Sequence, residues 1–355
     1  MIRKILLAAL IILLAAFAAL YWYMRPLPIL TVTSWAGDYG HAQAVAQMHP
    51  FATANRIDVH IAEWEGQLND LKGDVIDFEL PKAVEACARG MLEKIDATTL
   101  PASDDGTAAA KDFVPGSIGP CWVGSVVYSH LIIYSPGAFQ AGQPQTLADF
   151  FDTVKFPGKR ALKRGSGKYN LELALLADGV APADVYPTLA SEAGLARAFA
   201  KLSNLGSSLT WYDRDGEAPE RVRDGDAAFA TALNGQLYDP KLTANALSVI
   251  WDRQLYEFDA FGIPAGDPKK DMALKFIRFA TGSKPAAGVA SLYPVGAARR
   301  SGVALTQKNP ENGADLRPFE PTAHFDTAFA VDDSWWQLHG DTVDTAWRNW
   351  LAGLH

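Results

Sequence analysis

Apolar and polar positions between residues 29 and 90 follow the pattern of strands separated by helices. Short β-rich runs precede longer stretches of helical periodicity, and Pro81 and Gly90 mark the start and the end of one such stretch. The pattern predicts strands at 29–35, 57–64 and 74–80 and helices at 40–55 and 81–90. Strands connected by helix-length segments indicate a parallel sheet that is covered on both faces.

A second set of α/β elements follows the long β-rich run at 124–135. Pro136, Gly137, Gly142 and Pro144 interrupt the pattern after that run, which indicates a crossing into another domain. Beyond it the pattern predicts strands at 159–163, 208–213 and 226–233 and helices at 168–179, 268–282 and 334–354.

The chain returns to the first domain near 255–264, so we expect an α/β protein of two domains. The predicted domains are 27–135 plus 259–320 and 136–258 plus 321–355. Ligands of open α/β sheets lie beyond the carboxyl ends of the strands, and between two such domains this position is a cleft. Site residues are therefore expected at strand ends.

The first 26 residues have the pattern of an export signal. Arg3 and Lys4 precede an apolar run from residue 5 to residue 24. Two readings remain open, because about 20 apolar residues can span a bilayer, whereas Ala16-Phe17-Ala18 offers a small-x-small cleavage site. Residues 1–26 are a signal peptide or an N-terminal membrane anchor, and either one places the remaining chain in the periplasm.

Composition narrows the class of protein further. The chain has 355 residues, 49% of them hydrophobic, which is enough for two domains with their own cores. Its net charge of −8 argues against binding to nucleic acid or anionic lipid and suits a cationic solute. Its two cysteines, Cys87 and Cys121, are either a disulfide or two buried thiols.

Several enzyme and cofactor motifs are absent. The stretch around Gly167 resembles a phosphate loop but lacks its spacing, and it is not a nucleophile elbow either. The seven histidines form no i, i+4 pair and no cluster with the cysteines, which argues against a zinc site. We therefore expect no catalytic residues, no metal and no cofactor.

Aromatic and acidic side chains stand together at the ends of predicted strands. The residues concerned are Trp35 with Asp38, Asp77 with Glu79, Glu257 with Asp259, and Trp211 with Tyr212. An organic ammonium ion binds aromatic faces through cation–π attraction and carboxylates through charge-assisted hydrogen bonds. The pattern predicts a binding site for a small organic cation.

Each of these residues also has a structural interpretation. Trp35 could belong to the core, Asp77 could cap the helix that begins near Pro81, and Asp259 could pair with a lysine. A basic loop with Lys163 and Lys168 leaves an anionic ligand open as well.

Several longer segments together resemble one protein family. They are "TVTSWAGDYG", "DVIDFELPKAVEACARGMLEKID", "FDAFGIPAGDPKKDMALKFIRFATG" and "LYPVGAA". The chain resembles the extracellular solute-binding proteins of ABC importers, in particular the spermidine/putrescine-binding group. The resemblance implies a type II periplasmic-binding-protein fold, a monomer in which two α/β domains joined by two crossings close on a solute and pass it to a membrane permease.

The resemblance also assigns roles to residues. It implies that Trp35 stacks on the ligand, that Asp259 holds an amine, and that Cys87 and Cys121 form a disulfide. Tyr169 stands near the position of a family carboxylate, and Asn234, next to a position that is tryptophan in the family, is a further candidate ligand-binding residue. Other family positions differ here: two acids of the family pattern are lost, and two others, Glu79 and Glu257, are gained. The expected cation therefore differs in length or shape from spermidine and putrescine.

The prediction is therefore an exported receptor of an ABC importer that captures a polyamine-like cation. The alternatives are the same receptor role for an amino-acid-derived or anionic solute, a membrane-anchored sensor, and an enzyme on the same fold.

Overall fold

The structure is a computed structural model that describes residues 10–17, 20, 24–69, 71–140, 142–237 and 247–354. Much of the predicted leader therefore lies outside the described residues. Residues 10–17 are helical, and no helix in the described ranges is long and apolar enough to cross a membrane.

Ten strands in the described part of the chain form one mixed sheet with the order β2-β1-β3-β8-β4-β7-β5-β6, to which β9 and β10 add on β4 and β8. The strands are β1 Ile29–Ser34, β2 Asp58–Glu63, β3 Val75–Glu79, β4 Val123–Tyr134, β5 Arg160–Lys163, β6 Leu209–Tyr212, β7 Phe229–Leu233, β8 Ser248–Gly262, β9 Gly296–Ala297 and β10 Phe329–Ala330.

The parallel pairing predicted for the first three strands is confirmed, whereas the centre of the whole sheet is antiparallel. The pairs β1–β2, β1–β3, β5–β6 and β5–β7 are parallel. The long strands β4 and β8 run antiparallel to each other, and each is also antiparallel to its other neighbour, β7 or β3. Both carry the chain from one half of the molecule to the other, so their direction is set by the crossing.

Helices cover the faces of the sheet. They are α1 Gly37–Gln43, α2 His49–Asn55, α3 Leu80–Ala88, α4 Ala109–Asp112, α5 Leu147–Phe151, α6 Asn170–Ala177, α7 Val185–Leu189, α8 Glu192–Ser203, α9 Glu217–Arg223, α10 Lys270–Ala280, α11 Ser283–Leu292, α12 Arg300–Val303 and α13 Asp333–Ala352. The predicted helix at 40–55 is divided, because a π-helical segment, Ala44–Met48, separates α1 from α2.

Separate hydrophobic cores lie at the two ends of the sheet. One includes Phe78, Phe261 and Phe276 and is called lobe 1 here. The other includes Phe229 and Trp347 and is called lobe 2.

Strands β4 and β8 contribute to both cores. Val127 and Phe258 pack in lobe 1, whereas Leu131 and Leu255 are buried in the cores of lobe 2. We propose that the lobes divide inside these two strands, a few residues before the predicted boundary at 135. A continuous apolar run does not reveal where a strand leaves one core for the next.

The two cysteines form a disulfide, as the resemblance implied. Cys87 lies near the end of α3 and Cys121 lies two residues before β4. The bond joins positions that are 34 residues apart and fixes the first helix after β3 to the start of a crossing strand.

Replacing both cysteines with serine should destabilise the protein by about 3–4 kcal/mol, because a loop of this length then regains its freedom in the unfolded chain. Urea unfolding of the variant measures this change in the free energy of unfolding. Unfolding of the unmodified protein in the presence of a reductant is the control and should show a similar loss. Equal stability of all three samples would contradict a stabilising role for the bond.

Candidate ligand-binding cleft

A cleft of about 600 Å³ lies between the two lobes, over the centre of the sheet. Its wall is formed by Trp35, Ala36, Tyr39, Glu79, Pro81, Lys82, Val126, Tyr128, His130, Lys163, Lys168, Tyr169, Asp215, Leu233, Gly235, Glu257, Asp259, Tyr293 and Val295. Five predicted site residues are among them, namely Trp35, Glu79, Tyr169, Glu257 and Asp259.

Strand register explains why the carboxylates meet. Glu79, the last residue of β3, lies directly opposite Asp259 on β8. On the other side of β8, Val126 pairs with Asp259 and Tyr128 pairs with Glu257. Because every second residue of a strand faces the same side, Glu257 and Asp259 both point into the cleft.

Glu79 and Asp259 form a carboxylate pair without a partner cation. In the described part of the chain, Asp259 makes no ion pair, so the alternative that a lysine neutralises it is not realised. Burial raises the pKa of Asp259 well above its usual range, and the negative charges of Asp77, Glu79 and Glu257 raise it further. This end of the cleft is therefore suited to a positive charge.

Trp35 stands beside this pair. Its ring lines the cleft and also packs against the core of lobe 1, so both interpretations of this residue apply in part. Among the described residues its buried Nε1–H makes no hydrogen bond of normal geometry, but it lies near Asp259 and lowers the pKa of that carboxyl. The ring is thus available to a ligand held by Asp259.

Glu257 has partners of its own. The Lys168 ammonium lies 2.5 Å from its Oε1, and the Tyr169 hydroxyl donates to its Oε2 at 2.6 Å. The Tyr169 ring in turn stacks on His130 with 3.5 Å between ring centroids. Burial lowers the pKa of His130 to about 4, so this imidazole is neutral at physiological pH.

Comparison with known proteins identifies the kind of protein that has this cleft. Residues 60–314 match the sequence profile of the bacterial extracellular solute-binding proteins. The chain belongs to this family. It is therefore an extracellular solute-binding protein and not an enzyme.

The γ-aminobutyric acid-binding protein of Pseudomonas aeruginosa is 32% identical over 332 residues, which cover 91% of each chain. Among solved structures, the Atu4243–GABA receptor is similar with a TM-score of 0.71 and 26% identity, over 90% of this chain and 97% of that one. The binding protein MotA of A. tumefaciens B6, in complex with glucopine, has a TM-score of 0.69 at 24% identity, over 90% of this chain and 99% of that one, and shows the fold alone.

These relatives confirm the two-domain α/β fold of a periplasmic binding protein. The ligands named for these proteins are γ-aminobutyrate and glucopine, so the comparison supports the wider solute-binding family and not the spermidine/putrescine group in particular.

Asp77 supports the cleft of the solute-binding protein from below. It is fully buried and accepts hydrogen bonds from the hydroxyls of Ser34, Tyr39 and Ser125 and from the Gln43 amide. It does not cap α3, whose N-cap residue is Glu79. Burial raises its pKa to about 6. The structure thus makes Asp77 a positioning residue beneath the ligand site.

The other predicted site residues lie away from the cleft of the binding protein. Asp38 is exposed in the first turn of α1. Trp211 packs edge-on against Trp347, 5.7 Å between centroids, in the core of lobe 2. Tyr212 is buried beside Thr231, with which it shares a hydrogen bond. Strand β6 is at the edge of the sheet, so its end does not reach the centre.

Asn234 is also a structural residue. Its Oδ1 accepts the Ser129 backbone N–H at 2.8 Å, and its Nδ2 donates to the carbonyls of Pro294 and Phe319. The side chain is fully buried and joins β4 to two later segments of the chain. Its neighbours in the sequence, Leu233 and Gly235, line the cleft in its place.

Sequence reasoning missed several residues of the wall. Tyr128 and His130 are two positions apart on β4 and so face the same side of the sheet, a spacing that the sequence of the strand already shows. Lys163 and Lys168, which the sequence places in a basic loop that could bind an anion, both line the cleft. Tyr293 comes from a distant segment and gives no local signal.

Asp259→Asn should raise the melting temperature of the ligand-free binding protein at pH 8 and change it little at pH 4. The folded-state pKa of Asp259 is raised, so its contribution to stability is complete below the unfolded pKa and is lost as the pH rises through the folded pKa. Asparagine does not ionise, so the variant does not undergo this loss of stability as the pH rises. Thermal unfolding across this pH range, with the exposed Asp224→Asn as control, measures the difference, and an unchanged or lower melting temperature at pH 8 would contradict the assignment.

Proposed function

We propose that this binding protein captures a short solute with one ammonium and one carboxylate group, of the γ-aminobutyrate class, and delivers it to a permease. The observation that carries the proposal is the pair of carboxylates Glu79 and Asp259, which form no ion pair with a cation among the described residues, in a cleft that also contains lysines. The γ-aminobutyric acid-binding relative, 32% identical over 91% of both chains, supports the same ligand class.

The ammonium group of the ligand would lie at Asp259 and Glu79. Two carboxylates offer it charge-assisted hydrogen bonds, and the Trp35 ring supplies an aromatic face. A bound cation would keep Asp259 ionised, so the electrostatic repulsion among these carboxylates in the empty cleft would become attraction in the complex.

The carboxylate group of the ligand would lie near Lys82 or Lys163. Lys82, in the first turn of α3, is 3.9 Å from its ion-pair partner Glu85, a loose contact that leaves its ammonium available. Lys163 lies at the end of β5 and pairs with Asp215 at 2.7 Å. These lysines come from different lobes, so a ligand carboxylate between them would favour closure of the cleft.

A polyamine remains the second candidate, because four acids, Glu79, Asp215, Glu257 and Asp259, line the cleft. It agrees less well with the lysines of the wall, which would repel a second ammonium.

We also propose that the protein acts as a monomer in the periplasm, with residues 1–26 as a cleaved leader or a tether. The charged and apolar pattern of those residues supports export.

Thermal unfolding and calorimetry with γ-aminobutyrate, putrescine, spermidine, α-amino acids and inorganic anions test the proposal. We expect γ-aminobutyrate to raise the melting temperature, because a ligand that binds only the folded state stabilises it. Asp259→Asn should weaken its binding by about ten- to a hundredfold, since a hydrogen bond to a charged group contributes about 1.5–3 kcal/mol. Trp35→Ala should weaken it by about tenfold, since a cation–π contact contributes about 0.5–2 kcal/mol.

The matched control is Trp211→Phe, in which the altered tryptophan packs in lobe 2 and away from the cleft. Its affinity for γ-aminobutyrate should stay close to that of the unmodified protein. A response only to anions or to neutral solutes would contradict the proposed ligand class and leave the importer role intact.

A further inference from the structure

The Lys168 side chain lies in the cleft wall with its charge surrounded by acids. Its ammonium is 2.5 Å from Glu257 Oε1 and 2.9 Å from Asp333 Oδ1. The side chains of Lys168, Glu257 and Asp333 are 17%, 1% and 3% exposed, respectively. A lysine that reaches so far inward fills space between the sheet and the start of α13.

An aromatic ring completes the surroundings of this ammonium. Lys168 Nζ lies 5.1 Å from the centroid of the Tyr169 ring, and the hydroxyl of that ring donates to Glu257. Carboxylates together with an aromatic face are also what Asp259, Glu79 and Trp35 offer on lobe 1. The cleft therefore contains the same chemical arrangement twice, once filled by the protein itself.

The backbone holds Lys168 in this place. Tyr169 has φ 72° and ψ −48°, close to the strained geometry of a γ-turn that non-glycine residues rarely adopt. The backbone N–H of Lys168 donates to the Ser166 hydroxyl, which itself donates to Asp344 on α13. The turn before α6 thus directs both Lys168 and Tyr169 at Glu257.

We propose that the Lys168 ammonium occupies a second amine subsite of the cleft and thereby makes the receptor selective for solutes with one ammonium group over diamines. This inference rests on the proposed function, because it concerns the same cleft and a ligand whose ammonium binds at Asp259 and Glu79. It explains how a cleft with four acids accepts a single cation, because Lys163 already pairs with Asp215 and Lys168 with Glu257.

The local charges agree with a filled subsite. Burial opposes the charge of Lys168, but Glu257 and Asp333 outweigh it and raise the pKa of this lysine above its usual range. Burial and the charge of Glu257 raise the pKa of Asp333, whereas the neighbouring Lys168 ammonium lowers it. Lys168 offsets the charge of Glu257, and a second ammonium would meet this positive charge at the subsite.

Lys168→Met tests the inference by removing the charge while keeping an unbranched side chain. Affinities for 1,4-diaminobutane and γ-aminobutyrate are measured by calorimetry for both proteins at pH 7. We expect the variant to bind the diamine at least tenfold more tightly than the unmodified protein does, with a smaller change for γ-aminobutyrate. Unchanged diamine affinity would overturn the inference.

Two further variants identify the origin of any gain. Lys168→Arg keeps the positive charge and should show no gain for the diamine. In the double variant Lys168→Met with Glu257→Gln, the acid of the subsite is lost and the gain should disappear. A gain that persists in the double variant would also overturn the inference, because Glu257 would then not hold the second ammonium.

A variant with a shorter side chain at position 168 allows a test in which a small amine replaces the missing ammonium. Lys168→Ala leaves the space of the side chain empty, so n-butylammonium chloride should raise its melting temperature more than the same concentration of sodium chloride. The unmodified protein should show no such difference, and equal effects of the two salts on the variant would count against a subsite.

The outcomes separate the two proposals. If the unmodified protein binds neither γ-aminobutyrate nor any other single amine, the proposed function fails. If it binds γ-aminobutyrate but binds 1,4-diaminobutane equally well, or if Lys168→Met gains nothing, only the role of Lys168 fails.

Discussion

The antiparallel pairing of β4 with β8 is the constraint on which both the fold and the cleft depend. These two strands, Val123–Tyr134 and Ser248–Gly262, carry the chain between the lobes and lie side by side at the centre of the sheet. Their register places Tyr128 opposite Glu257, and the pairing of β8 with β3 places Glu79 opposite Asp259. The same hydrogen bonds therefore join the lobes and assemble the acidic floor of the cleft.

The four acids near that floor differ in how fully the protein satisfies them. Asp77 accepts four side-chain hydrogen bonds and Glu257 is bound by Lys168 and Tyr169, so the fold itself uses both carboxylates. Asp259 is buried beside Glu79 without a cation in the described part of the chain. A buried carboxylate whose pKa is raised by burial and by neighbouring acids, as that of Asp259 is, destabilises the empty protein, and such a cost is expected where a ligand supplies the missing charge.

Much of the fold could be predicted from the sequence, and half of the predicted ligand-binding residues line the cleft. Trp35 directly follows β1 and Glu79 ends β3, and local pattern is sufficient to find such positions. Asp259 lies inside β8 and not at a strand end, so its assignment depended on the family resemblance. Strand order could not be predicted in this way, because the sequence around Trp211 is compatible with a position of β6 at the centre of the sheet or at its edge.

Long-range pairing also decides what a charged residue does. Lys168 looks like part of a solvated basic loop until the structure brings it to Glu257, 89 positions later in the chain, and to Asp333 at the start of α13. A strained Tyr169 backbone is retained at the same turn, although glycine would relieve it. Since glycine has no ring and no hydroxyl, that relief would remove both the stacking on His130 and the bond to Glu257. The strained backbone of Tyr169 is thus retained together with the contacts that hold Glu257 beside Lys168. In this way the local backbone geometry affects how many positive charges the cleft accommodates.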